Sequence, residues 1–389
     1  MSGESETAGP GLNAFLELPG MKLLALLAAL LLFVGMRQIL AWQWAGSLAL
    51  ALIPLLPIAI TAMFYWFGIR SLGAGAYGGY VYCVVAVVLA GFSVFAANEF
   101  WLGGAIAQRM AFCLAAAASA ALAGATLRRT GETVFLHLAA AGAAMALAAA
   151  IPAQGSGGWL EPGPVVMFGG SQTLLALAYA GAARRLMRSS LDSALSRQQA
   201  RALLVWAHVC AAAAAGRAVL GLAAGEDVAQ TAAVFAAGAT LYATVAHWHR
   251  STGAAWLSAA LMAEAALLAL QASAALSWHS AGLAAVVLNL AAGGLTRHAM
   301  GNRVTAEGKA LAASWSRIRH ALGGVSGAAL LASIAWSVAG IAPPVDTGGW
   351  PWIVLLAAAV STLHARTALE LGRFGLLYVA ATEAAVGLA

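Results

Sequence analysis

The sequence predicts an all-α, polytopic transmembrane helical bundle of about 12–13 spans. Three observations point there. Apolar runs long enough to cross a bilayer recur along nearly the whole chain. Charge is scarce: 62% of the 389 residues are apolar and 9% are charged, against about a quarter charged in an ordinary soluble domain. The basic residues fall at every second link between the apolar runs. About 20 residues rising 1.5 Å each cross roughly 30 Å of hydrocarbon. A helix satisfies its own backbone hydrogen bonds there, and the period-2 alternation of a barrel strand is absent.

The N-terminal segment, residues 1–20, is polar and acidic, with Glu4, Glu6 and Glu17. A secretory signal starts basic and ends at a small-residue cleavage site, so the apolar stretch after Lys22 reads as a retained span. Two leading spans fill 21–74, near 23–43 and 46–68, with Arg37 interrupting the first. The bundle proper, 75–389, holds spans near 75–98, 104–127, 132–152, 164–183, 202–223, 228–247, 254–275, 280–297, 321–341, 350–369 and 373–389. Alanine, leucine and glycine dominate them. Small residues let membrane helices approach closely where no water drives them together.

Loop charge sets the orientation. The even-numbered links carry Arg70; Arg128 and Arg129; Arg184, Arg185, Arg188, Arg197 and Arg201; Arg250; Arg297, Arg303, Lys309, Arg317 and Arg319; and Arg366 and Arg373, sixteen of the 20 basic residues. The odd links carry Glu99, Glu161, Glu226, Asp227 and Asp346. Arg109, a few residues into its span, is the exception. Lys and Arg stay cytoplasmic during insertion. The N-terminus and the even links are therefore expected in the cytoplasm, with the chain in a bacterial-type inner membrane. The two longest basic links, 184–201 and 298–320, read as short amphipathic helices resting on headgroups. Ser189 and Asp192 suit the start of the first.

The links repeat in text. Leu127-Arg-Arg-Thr-Gly131, Trp248-His-Arg-Ser-Thr-Gly253 and Ala368-Leu-Glu-Leu-Gly372 each join two spans, and their glycines lie 122 and 119 residues apart. Glu264 and Glu383 follow the second and third glycines by eleven residues, where the first copy has Gly142. The pattern reads as a four-helix unit used nearly three times across 75–389, the last copy ending inside its third span.

Several function classes fall away. The net charge of +6 is spread over the links, with no compact basic and aromatic face, so nucleic acid is not an expected partner. The partner expected from composition is the lipid bilayer. Three cysteines, Cys83, Cys113 and Cys210, lie in apolar runs without a CxxC pair and read as small apolar filler. No phosphate loop, HExxH, GxSxG or CxxCH is present. The sequence names no cofactor and no enzyme signature.

An ionisable group at membrane depth costs at least about 2.5–3.5 kcal/mol and is a functional candidate by default. Glu264, Glu383 and Arg217 qualify, and Arg37 lies at the end of its span. The acids suit a proton or cation path; the structural alternative has Glu264 paired with Arg217. Histidines form a second constellation. His137, His208, His247, His249, His298, His320 and His364 all fall toward the cytoplasmic side, and only His279 is external. Of these, His208, His247 and His364 are the candidate metal or haem ligands. His247 and His249 do not share a helix face. The leading expectation is a transporter-like or channel-like bundle for a small solute or ion. The alternatives are a membrane scaffold or sensor, and a haem- or metal-binding redox protein.

The orientation is directly testable. A cysteine placed in either long link, 184–201 or 298–320, is expected to react with a membrane-impermeant thiol reagent from the cytoplasmic face alone. Labelling of the two links from opposite faces would overturn the whole alternation.

Overall fold

The computed structural model describes residues 55–73, 78–104, 106–152, 164–188, 194–300, 305–338, 350–371, 379–381 and 383–384. Among these described residues are eleven helices and no strand. They are α1 Leu55–Gly73, α2 Gly78–Phe100, α3 Gln108–Thr130, α4 Thr133–Ala150, α5 Val165–Arg188, α6 Ala194–Ala223, α7 Val228–His249, α8 Thr252–Ala272, α9 Trp278–Met300, α10 Ala306–Val338 and α11 Trp350–Leu371. Ten are long and apolar enough to cross a membrane; in the eleventh the apolar stretch, Ile353–Thr367, is shorter. The protein is an all-α, multi-pass membrane protein. The helices match the second to twelfth spans expected from sequence. The N-terminal segment, the first span with Arg37, and all but a few residues of the last span lie outside the described residues.

The two long basic links differ from expectation. Neither forms a separate surface helix. In the first, α6 starts at Ala194 and runs unbroken through Arg197 and Arg201 to Ala223. In the second, α9 runs on to Met300, and α10 starts at Ala306 and carries Lys309, Arg317 and Arg319. Arginine, lysine and glutamine are good helix formers, and 194–201 contains no glycine or proline. A helix that already satisfies its own backbone has no reason to stop where the lipid does.

The chain divides into two compact units, Met1–Pro164 with Ala178–Cys210, and Val165–Leu177 with Ala211–Ala389. In the first, α1 packs on α2 and α3 on α4 as hairpins. Glycines let the backbones touch at single points. A Cβ on Gly79 would lie 2.5 Å from the Gly68 carbonyl oxygen, and one on Gly142 would lie 2.9 Å from that of Ala116. Around these approaches Tyr80, Cys83, Val84, Val87, Ala123 and Phe135 form a buried cluster. Gly131 turns α3 into α4 with φ 73°, its N–H donating to Leu127 O at 2.7 Å, a left-handed position that glycine takes without a Cβ clash. The extension of α6 reaches this turn, where Gln199 Nε2 donates to Gly131 O at 2.7 Å.

In the second unit α7 and α8 also pack as a hairpin. Arg250 turns α7 into α8 with φ 52°, its N–H donating to Ala246 O, and Ser251 caps α8 by accepting from Ala254 N. The start of α10 reaches this turn too: Arg250 Nη1 donates to Thr305 Oγ1 at 2.7 Å. Hairpin α9–α10 and helix α11 share a core of Val286, Leu330, Ile353, Leu356, Ala357 and Val360.

Arg109, the exception to the charge alternation, has a local answer. Its Nε donates to Ala149 O at 3.1 Å and its Nη2 to Ala148 O at 3.4 Å, in the last turn of α4. A cation at a helix C-terminus meets unpaired carbonyls and the negative end of the dipole. Arg109→Ala should cost about 1 kcal/mol of stability in a reversible detergent-unfolding assay, with Arg109→Lys recovering part of it. An unchanged midpoint for Arg109→Ala would remove the capping role.

Candidate functional site

A polar cluster lies among α9, α10, α11 and the short stretch around Ala380 and Glu383, all within the second unit. The sequence builds it from interruptions in apolar helices. Asn289 is the twelfth of the 23 residues of α9, inside Ala-Val-Val-Leu-Asn-Leu, and is 1% exposed. That places an amide at mid-helix, where no water competes for it. Asn289 Nδ2 donates to the backbone oxygen of Arg319 on α10, and Arg319 Nε donates back to Asn289 Oδ1 at 3.3 Å. Arg319 Nη2 lies 3.4 Å from Thr367 Oγ1 on α11, and Thr367 returns its hydroxyl to Leu363 O.

Beside this trio sits an acid–imidazole pair. His364 Nδ1 lies 2.9 and 2.8 Å from Glu383 Oε1 and Oε2, and with a proton there it donates to both. Both side chains are largely buried, 16% and 14% exposed. Ser361 Oγ donates to Ala380 O at 2.6 Å, one helical turn before each partner, and fixes the segment on α11.

Glycines on α10 make the room. Gly323 and Gly327 are four residues apart and lie on one face. A Cβ on Gly323 would stand 3.5 Å from Asn289 Nδ2 and 3.9 Å from His364 Nε2. One on Gly327 would stand 3.6 Å from His364 Cε1 and 3.9 Å from Glu383 Oε1. The polar trio and the acid–imidazole pair therefore meet over one bare stretch of helix. The imidazole and the carboxyl can share a proton there.

The residues singled out from sequence do not converge. Glu383 and His364 meet as described. Arg217, 7% exposed, pairs with Glu226 at 2.8 Å near the α6–α7 turn, not with Glu264. The reason is reach: the two lie on one stretch of chain, so the guanidinium extends to the helix end instead of crossing to α8. Glu264 is exposed on α8. His208 is exposed on α6. His247 packs edge-on against His298, with ring centroids 5.0 Å apart, and stacks on Trp315 at 6.1 Å. Among the described residues no group of three or more His, Cys, Asp or Glu is placed to hold a metal ion. A groove of about 650 Å³ along α7 and α8 is lined almost wholly by alanine, with Met262 and Leu288, and brings no chemistry.

Sequence reasoning missed Asn289, Arg319 and Thr367. An asparagine at the centre of an apolar run and the Gly323–Gly327 spacing were the available signals. Arg319 was hidden because it read as a loop charge.

The architecture is that of a multi-pass membrane protein with a buried polar cluster. No protein-family model matches the chain, and neither a curated protein nor a solved structure was found to be similar to it.

The pair can be checked by a double-mutant cycle. Removing one member leaves the other buried without its partner. Either His364→Leu or Glu383→Leu alone should cost about 3 kcal/mol of unfolding free energy, and the double variant clearly less than the sum. Additive losses would show that the two side chains do not act together.

Proposed function

We propose that this protein is a transporter-like or channel-like bundle of a bacterial-type inner membrane, moving a small solute or ion. In this reading the N-terminus and the arginine-bearing links face the cytoplasm, following the retention of Lys and Arg on that side. The core is a four-helix unit used more than once. The like turns at Gly131 and Arg250, each engaged by the start of a long later helix, support that reuse.

The observation that carries the proposal is the convergence of Asn289, Arg319, Thr367, His364 and Glu383 over Gly323 and Gly327. Glu383 interrupts an apolar run, where an ionisable group is costly. Polar bonds between helices would also hold a scaffold together, but a pair able to exchange a proton goes beyond that need. A path for ions or small polar solutes needs such groups, because the guest must exchange its water for protein donors and acceptors as it crosses. Imidazole is the group whose ordinary titration lies nearest neutral pH, so a histidine hydrogen-bonded to a carboxyl can pass a proton between them. Asn289 and Arg319 supply donors to a polar guest on the other side of the glycines. Glu264 and Arg217 stand apart from this cluster, so the path centres on Glu383.

Flux into vesicles tests this. The full chain reconstituted with a pH-sensitive dye inside should pass protons or small ions faster than empty vesicles under an imposed gradient. Glu383→Gln should cut that flux at least about tenfold, which corresponds to 1.4 kcal/mol or more on the barrier. Glu264→Gln should leave it unchanged. Wild-type flux equal to that of empty vesicles would remove the transport reading and favour the scaffold. Full flux in Glu383→Gln would move the path elsewhere.

A further inference from the structure

Glu264 stands on the outer surface of α8, far from either end. It is the thirteenth of 21 residues, about 18 Å along the helix at 1.5 Å per residue. The opposite side of α8 is buried through Ala254, Ala255, Ser258, Ala265 and Leu268. The outer side runs Trp256, Ala260, Glu264, Leu267 and Gln271, all exposed, at the three- and four-residue spacing of one helix face. A carboxyl facing acyl chains at this depth is costly, and burial of Ala265 next to it fixes the direction of the face. Something other than lipid must meet it.

The described surface offers few partners at that depth. Thr240 on α7 and Thr362 on α11 are exposed, but each donates to its own helix, at Ala236 O and Ala358 O. His137, His208, His298 and His320 are exposed as well, yet each already has an interaction. The group that stands at Glu264's depth with matching chemistry is Glu264 itself. A two-fold axis along the membrane normal brings each residue opposite its counterpart at equal depth. Two carboxyl groups facing each other across such an axis can each donate to the other.

We propose that the chain forms a two-fold dimer through this face of α8, with the Glu264 carboxyl groups of the two copies hydrogen-bonded across the axis. Ala260, one turn earlier, lets the helices come close, as small residues do at membrane interfaces. Gln271, two turns later, gives a second self-complementary pair, amide to amide. Trp256 and Leu267 fill the seam between them. This interface is independent of the path proposed above.

Cross-linking and mass together test it. In vesicles, oxidation of the full chain carrying Ala260→Cys should give a covalent species of twice the chain mass. The same chain with Ala265→Cys, whose thiol faces the buried side, should stay at one chain mass. By light scattering in mild detergent, the wild type and Glu264→Gln should both run at two chain masses, since the amide can pair with itself. Glu264→Lys should shift to one. A single-chain mass for the wild type overturns the dimer. In the Ala260→Cys variant, a disulfide from the introduced thiol to Cys113 or Cys210 of the same chain overturns it too, by showing that the chain covers this face itself. A dimer unaffected by Glu264→Lys removes the role of Glu264.

Discussion

Lipid gives no hydrophobic push between helices, so this chain holds together only where backbones come close enough for dispersion and a few polar bonds to act. That constraint reaches every contact described. The α1–α2 and α3–α4 hairpins meet at Gly68, Gly79 and Gly142, where a single added carbon would strike a backbone oxygen or a side chain. Alanines fill the helix contacts of the second unit in the same way, with Ala214, Ala218, Ala232 and Ala265 in one buried cluster. Gly323 and Gly327 use the same device for another end. They hold a face bare, and the space admits His364, Glu383 and Asn289 instead of another helix.

Charged groups near the ends of the helices are handled locally. Arg109 finds the last carbonyls of α4, Arg217 finds Glu226 a few residues on, and Arg250 finds Thr305. Arg109 stays within its hairpin, Arg217 within one stretch of chain, and Arg250 reaches the residue before α10. Long side chains can place their heads at the membrane edge while their stems stay in lipid. These residues therefore say little about activity, although two of them interrupt apolar runs. The cluster around Asn289 differs because it is built from four separate elements and its amide sits at mid-helix.

The helices were legible because hydropathy and charge alternation act over twenty residues at a time, and composition noise averages out over that length. The ends of α6 and α10 were less legible. Arg197, Arg201, Lys309 and Arg317 bound the apolar runs, but a helix built of good formers continues past that point. Charge locates the membrane surface, not the helix end. Glu383 was legible as a site residue since an acid in an apolar run is rare and costly. Its partner His364 was legible only as one of three histidines picked out as possible ligands, not as the partner of an acid. Asn289 and Thr367 were not, because single polar residues are common in such helices and only their convergence gives them meaning. Convergence depends on which helices neighbour each other, and periodicity within a helix carries no record of that.

Glu264 and Glu383 show how far local text can mislead about role. They stand in similar words, Ala-Glu-Ala-Ala and Thr-Glu-Ala-Ala, and an internal duplication would make them equivalents. Yet Glu383 is enclosed, with an imidazole 2.8 Å away and a bare helix face beside it. Glu264 is turned outward. An enclosed carboxyl can trade a proton with a neighbour inside the same molecule, whereas an outward one can be satisfied only by whatever binds that surface. If both descend from one ancestral position, the difference arose from neighbours: the presence of His364 on an adjacent helix in one copy and its absence from the other.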